Sequence, residues 1–148
     1  MAIVVLGMVL VVSGCMSSPS TSSTLQVLPA ALDSIRGIGE LRAETSREDE
    51  DDGITQVENL LVISVGAIDE REALDKAASL LVARGWMIVA ENRPVIVSME
   101  SVKWEHTHLA LRPFSPDYLE EYPEILRKLE IPIEGESLVY IEVLATAR

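Results

Sequence analysis

The segment Leu60 to Gly66, LLVISVG, constrains the fold of this chain more than any other. Leu60 to Ile63 are consecutive apolar residues, so an extended backbone presents apolar side chains to both faces of a sheet. That is the pattern of a central strand. The clearest helix in the sequence follows it, over Asp69 to Arg84. Asp69 with Glu72 three residues later makes a capping-box pattern. Ala73, Leu74, Ala77, Leu80 and Leu81 recur at helical spacing on one face, and Gly85 ends the helix at the C′ position. The small alanines let this helix lie close to a sheet.

The remaining pattern supplies more strands and two weaker helices. Trp86 to Ala90 and Val95 to Glu100 read as strands separated by the turn-like Glu91-Asn92-Arg93-Pro94; the alternative is one long strand bent at Pro94. His106 to Arg112 pairs back as a further strand. Ser115-Pro116-Asp117 is a helix start, with a stripe of Tyr118, Leu119, Tyr122, Ile125, Leu126 and Leu129. Pro123 interrupts that stripe, which predicts a kink or two short helices. Ser137 to Ala145 is the last strand, with Val139, Ile141 and Val143 on its buried face.

Ahead of the core, Leu25 to Arg36 reads as a short helix placing Leu28, Leu32 and Ile35 on one face. Ile38 to Glu44 alternates as an edge strand. Arg47 to Asp52 (REDEDD) gathers five carboxylates before Gly53 and reads as a solvated hairpin loop. It lacks the ligand spacing of an EF-hand loop. The order strand, helix, strands, helix, strand resembles a ferredoxin-like arrangement. The expected class is therefore α+β: a ferredoxin-like split βαβ sheet with helices on one face, plus an N-terminal helix and edge strand.

The first residues are of a different kind. Ala2 to Val12 is an uninterrupted run of apolar residues and glycine, followed by Ser13, Gly14 and Cys15. It is shorter than the roughly 20 residues a membrane-spanning helix needs. It has the length of a signal-peptide apolar region followed by small residues. Val12-Ser13-Gly14-Cys15 resembles the lipobox of bacterial lipoproteins: an aliphatic residue, two small ones and an obligatory cysteine. The resemblance implies a diacylglyceryl group on the Cys15 thiol and cleavage between Gly14 and Cys15. It departs from the usual leader in having no Lys or Arg ahead of the apolar run. The alternatives are a non-lipidated signal or short anchor, and an apolar strand or buried helix of the domain with Cys15 as a core thiol. Two acyl chains hold a protein at a bilayer stably where one does so only marginally.

The expected organisation is residues 1–14 as signal peptide, 15–24 as lipidated cysteine and Ser/Thr-rich tether, and 25–148 as a single acidic α+β domain. Met16 to Thr24 (MSSPSTSST) has no apolar periodicity, and about nine such residues span some 15–18 Å on average. The formal charge of −12 argues against nucleic-acid partners and against adhesion to anionic lipid through basic patches. Cys15 is the only cysteine, so no intramolecular disulfide forms, and no second thiol is available as nucleophile or metal ligand.

Two groups carry candidate chemistry. His106 and His108 are two apart on a predicted strand and so share a face, with Leu109 and Leu111 on the other. An H-x-H pair is a start toward Zn²⁺ or Cu²⁺, with Glu100 or Glu105 as conceivable further ligands; a solvent-facing pair is the simpler reading. Among the aromatics Trp86, Trp104, Tyr118, Tyr122 and Tyr140, burial is the default, and Trp104 beside Lys103 and Glu105 is expected to be the most exposed. Nucleophile-elbow, P-loop, dinucleotide and H-E-x-x-H motifs are missing from the sequence. The expectation is a non-catalytic, lipid-anchored envelope protein. It would sit on the extracytoplasmic side of the plasma membrane, or on the outer membrane if the organism has one. No cofactor is expected beyond the lipid on Cys15, and the anticipated partners are the membrane and an envelope protein. A metal-binding lipoprotein using His106 and His108 is the first alternative, and a small envelope hydrolase the second.

Overall fold

The computed structural model describes residues 23–129 and 136–148. The signal segment, the lipobox Val12 to Cys15 and the tether up to residue 22 lie outside the described residues. The elements are β1 (Ser23–Leu25), α1 (Pro29–Arg36), β2 (Glu40–Asp51), β3 (Ile54–Ala67), α2 (Glu70–Val82), β4 (Trp86–Asn92), β5 (Ile96–Ser101), β6 (Thr107–Pro113), a 3₁₀ turn (Pro116–Leu119), α3 (Pro123–Leu129) and β7 (Ser137–Ala145).

The seven strands form one mixed sheet, curled into a half-barrel, in the order β2-β3-β7-β6-β5-β4. Short β1 runs parallel to β3 over Ser23↔Ile54 to Leu25↔Gln56, continuing the line of β7. All other pairings are antiparallel. The ferredoxin-like expectation is overturned: the molecule is mostly β. α2 does cross from β3 to the similarly directed β4, but three strands, not one, lie between them. The second helical segment joins β6 to β7, which are antiparallel neighbours, so it is no crossover at all. It folds over the opposite face instead, and helices cover both faces of the sheet.

This explains the apolar run of β3. Leu61, Ile63 and Val65 point to one face, where Val139, Ile141 and Val143 of β7, Leu109 and Leu111 of β6, and Val97 and Met99 of β5 continue the core beneath α1 and α2. Leu60 and Val62 point to the other face, against Leu119 and Tyr140. Each fully buried aliphatic contributes roughly 1.5–3 kcal/mol. Ala73, Ala77 and Ala78 of α2 are buried, which brings that helix against β3, β7, β6 and β4. Its start is capped as the sequence predicts: Asp69 Oδ1 accepts from Glu72 N at 2.8 Å. Trp86 is buried beneath α1 and donates from Nε1 to Ser34 Oγ at 3.0 Å.

Three local expectations are corrected. The acidic run is not a loop; it is strand, because β2 continues to Asp51 and the turn is the two-residue Asp52-Gly53, with φ 49° and 77°. Both positive φ values suit the type I′ hairpin, for which Asp-Gly is a favoured pair. α1 begins at Pro29, and Leu28 is its exposed N-cap residue; Ala31, Leu32 and Ile35 make the buried face. β6 begins at Thr107, leaving His106 in the preceding turn with φ 59°. β4 and β5 are two separate strands, as the favoured reading had it.

Candidate functional site

The 3₁₀ turn and α3 are short, and they close only part of the second face. Under them lie Ala43, Leu60, Val62 and Tyr140, flanked by Phe114, Tyr122, Ile125 and Leu126. Tyr118 stacks on Tyr140 with centroids 4.8 Å apart, and the Arg112 guanidinium stands 5.9 Å from the Tyr118 ring. Beyond this cap the same face continues uncovered toward β4.

Register fixes what lies there. One cross-strand row runs Leu60, Glu142, Ala110, Ser98, Ala90; the next runs Arg47, Glu58, Leu144, His108, Glu100, Met87. Directly paired residues share a face, so the two rows are adjacent on it. Ala110 and Ser98 are small between longer neighbours, and a depression of about 200 Å³ opens over them. Its polar lining is Glu58, Glu142, His108 and Ser98; Val89, placed by the bulge between Ile88 and Ala90, and Leu144 form its apolar walls.

Four charges border its inner end. Arg112 Nη1 lies 3.1 Å from Glu142 Oε1, and Arg47 Nε lies 2.5 Å from Glu58 Oε2. Arg47 Nη2 stands 4.0 Å from Glu142 Oε2. The carboxylates are largely buried, with side-chain exposures of 15% for Glu58 and 20% for Glu142. Burial, then the hydrogen bond and charge of neighbouring Glu58, pushes the Glu142 carboxyl above its ordinary range, against the pull of Arg112 and Arg47. Burial, followed by the Glu142 charge, likewise pushes the Tyr140 phenol upward. The Glu58 contact raises Arg47, which stays charged. The end of the depression is thus a pair of largely buried carboxyls held between Arg47 and Arg112.

The candidates picked from sequence are distributed unequally about this site. His108 lines it, with Nδ1 3.3 Å from Glu100 Oε1 and Nε2 3.2 Å from Thr146 Oγ1. His106 does not share its strand face; from the turn, its carbonyl accepts from Thr146 N at 2.8 Å. Glu105 is exposed and stands 3.7 Å from Arg148. Among the described residues no group of three His, Cys, Asp or Glu side chains is placed to hold a metal ion. Trp104 is half-buried, packed toward Trp86 at 6.2 Å with Lys103 Nζ 5.2 Å from its ring. Cys15 lies outside the described residues. Glu58, Glu142, Arg47 and Arg112 were missed by sequence reasoning. Their signal was Glu142 in SLVYIEVLA, a lone charge on the face opposite Val139, Ile141 and Val143.

Comparison with protein-family models, with curated proteins and with solved structures returns no match. Among the described residues no helix is long and apolar enough to cross a membrane.

Proposed function

We propose that this chain is a lipid-anchored, non-catalytic binding protein of the cell envelope. It is held at the extracytoplasmic membrane surface through Cys15, and it meets its partner with the open half of the second sheet face. The observation that carries the binding role is that half-covered face: a sheet with both faces apolar at β3 is closed fully on one side and left open on the other over a desolvated carboxylate pair. Support for the anchor is the lipobox resemblance at Val12-Ser13-Gly14-Cys15 and the Ser/Thr-rich stretch after it. The chain enters the described fold at Ser23, which pairs with Ile54 beside the β2–β3 turn.

Phase partition tests the anchor. The full chain expressed in a bacterium is expected in the detergent phase of Triton X-114, and Cys15→Ser in the aqueous phase. Wild-type protein recovered from the aqueous phase would remove the anchor from the account.

A further inference from the structure

Resting on the binding role given above, we propose that the partner met by the open face is a second copy of this chain, docked about a two-fold axis.

Charge selects the surface. The chain carries a formal −12, so two copies repel one another wherever that charge is exposed and unbalanced. Glu48, Asp49, Glu50 and Asp51, toward the β2–β3 turn, are exposed in this way. Around the depression each carboxylate instead has a basic group beside it. Glu58 has Arg47 at 2.5 Å, Glu142 has Arg112 at 3.1 Å, and Glu100 has His108 Nδ1 at 3.3 Å. A basic partner gains little from carboxylates already paired, whereas a second copy meets there the least repulsion.

Shape lets that surface match itself. Met87 is 51% exposed and Val89 48% exposed, both on the open face of β4. Met87 pairs with Glu100, and Ser98, which lines the depression with Ala110, lies two residues back along β5. With strands about 4.8 Å apart and a rise of about 3.3 Å per residue, the projecting side chain and the hollow stand roughly 10 Å from each other. A two-fold axis midway between them sets Met87 of each copy into the depression of the other, the reciprocal contact of an isologous interface. About 200 Å³ is below the roughly 300–1,000 Å³ of pockets that enclose whole small-molecule ligands. It suits one unbranched thioether side chain against Val89, Ala110 and Leu144. The bulge between Ile88 and Ala90 interrupts the outer edge of β4, so the copies pack face to face, not strand to strand. Confinement to one membrane surface raises the effective concentration of the copies.

The experiment coexpresses two differently tagged full chains in a bacterium and treats its membranes with a short bismaleimide. Cys15 is the only native cysteine, so the wild-type pair is the blank for each added thiol. Met87→Cys in one copy is expected to join to Ala110→Cys in the other, and neither to Arg71→Cys on the solvent side of α2. Sedimentation of the wild-type chain in density-matched detergent is expected to give twice the monomer mass, with a Kd on the order of micromolar. Met87→Lys changes an exposed residue and is expected to weaken association about tenfold or more, with an unchanged circular-dichroism spectrum. A monomeric mass at the highest concentration reached would overturn the proposal. Crosslinking through position 71 as efficient as that between positions 87 and 110 would overturn the face. Capture of a different protein by Met87→Cys, in place of a second copy, would remove the dimer and leave the binding role standing; capture of neither would remove both.

Discussion

Ile141 and Glu142 are neighbours in β7, and they face two different environments. Ile141 is fully buried in the continuous core under α1 and α2. Glu142, one residue on, points to the face that α3 and the 3₁₀ turn leave half open. Because side chains alternate along a strand, one segment supplies the closed face and the open one in turn. The closed face accounts for stability. The open face carries Glu58 and Glu142 side by side, an arrangement that is unfavourable unless something compensates it, as Arg47 and Arg112 do here.

The largest expected effect lies on the closed face. Ile141→Ala should lose about 2–5 kcal/mol, because it removes buried atoms and leaves a cavity. Urea denaturation would show this as a lower midpoint with an unchanged slope. A loss below about 0.5 kcal/mol, the range of ordinary surface substitutions, would break the distinction between the faces. Gly39→Ala comes next. A Cβ built there would fall 2.1 Å from the Ser64 backbone oxygen, so α1 and β2 could not keep their approach to β3. Overpacking of this kind costs about 1–3 kcal/mol, and a thermal melt equal to wild type would contradict the close packing.

Tyr118→Ala probes the boundary between closed and open regions. Its ring, stacked on Tyr140 at 4.8 Å, is worth about 1 kcal/mol beyond its buried area. The loss should be accompanied by faster hydrogen exchange at Tyr140 and Arg112, and unchanged exchange under α2. Exchange that rises equally on both faces would mean the cap is not a separate unit.

The smallest effect is a dependence on pH. Glu142 in the folded protein holds its proton more firmly than the unfolded chain does, so the folded state binds more protons in the window above the ordinary value of 4.5. The stability tied to this group is therefore fully present at low pH and is lost as pH rises through that window. Glu142→Gln does not titrate. The melting temperature of the variant minus that of wild type should thus increase as pH rises above about 4.5. A difference that stays flat would mean that Glu142 is not desolvated.

The local elements were legible in the sequence where their signals are short-range. Asp69 with Glu72, and the alanine-rich face of α2, define the helix that forms. The double-sided pattern of Leu60 to Gly66 gives a central strand, buried on both faces. Asp52-Gly53 was equally legible as a type I′ turn; the five carboxylates masked it, because charge reads as loop while the backbone only needs pairing and solvent on an edge strand. Topology was not legible. Whether α3 crosses the sheet or folds over it depends on β6 and β7 being neighbours, a long-range pairing with no local code. The site was hidden for the same reason: Glu58 and Glu142 are 84 positions apart and meet only through the register of β3 with β7. His106 and His108, two apart in sequence, drew attention for their spacing, and the positive φ at His106 takes it off the strand.

The central claim, recognition through the open half-face by an anchored protein, is tested most directly by photo-crosslinking in intact membranes. A photoreactive residue would replace Val89 on the open face in one variant and Arg71, on the solvent side of α2, in another. The account predicts one reproducible crosslinked partner from position 89 and none from position 71. The same partner captured from position 71 and not from position 89 would contradict it.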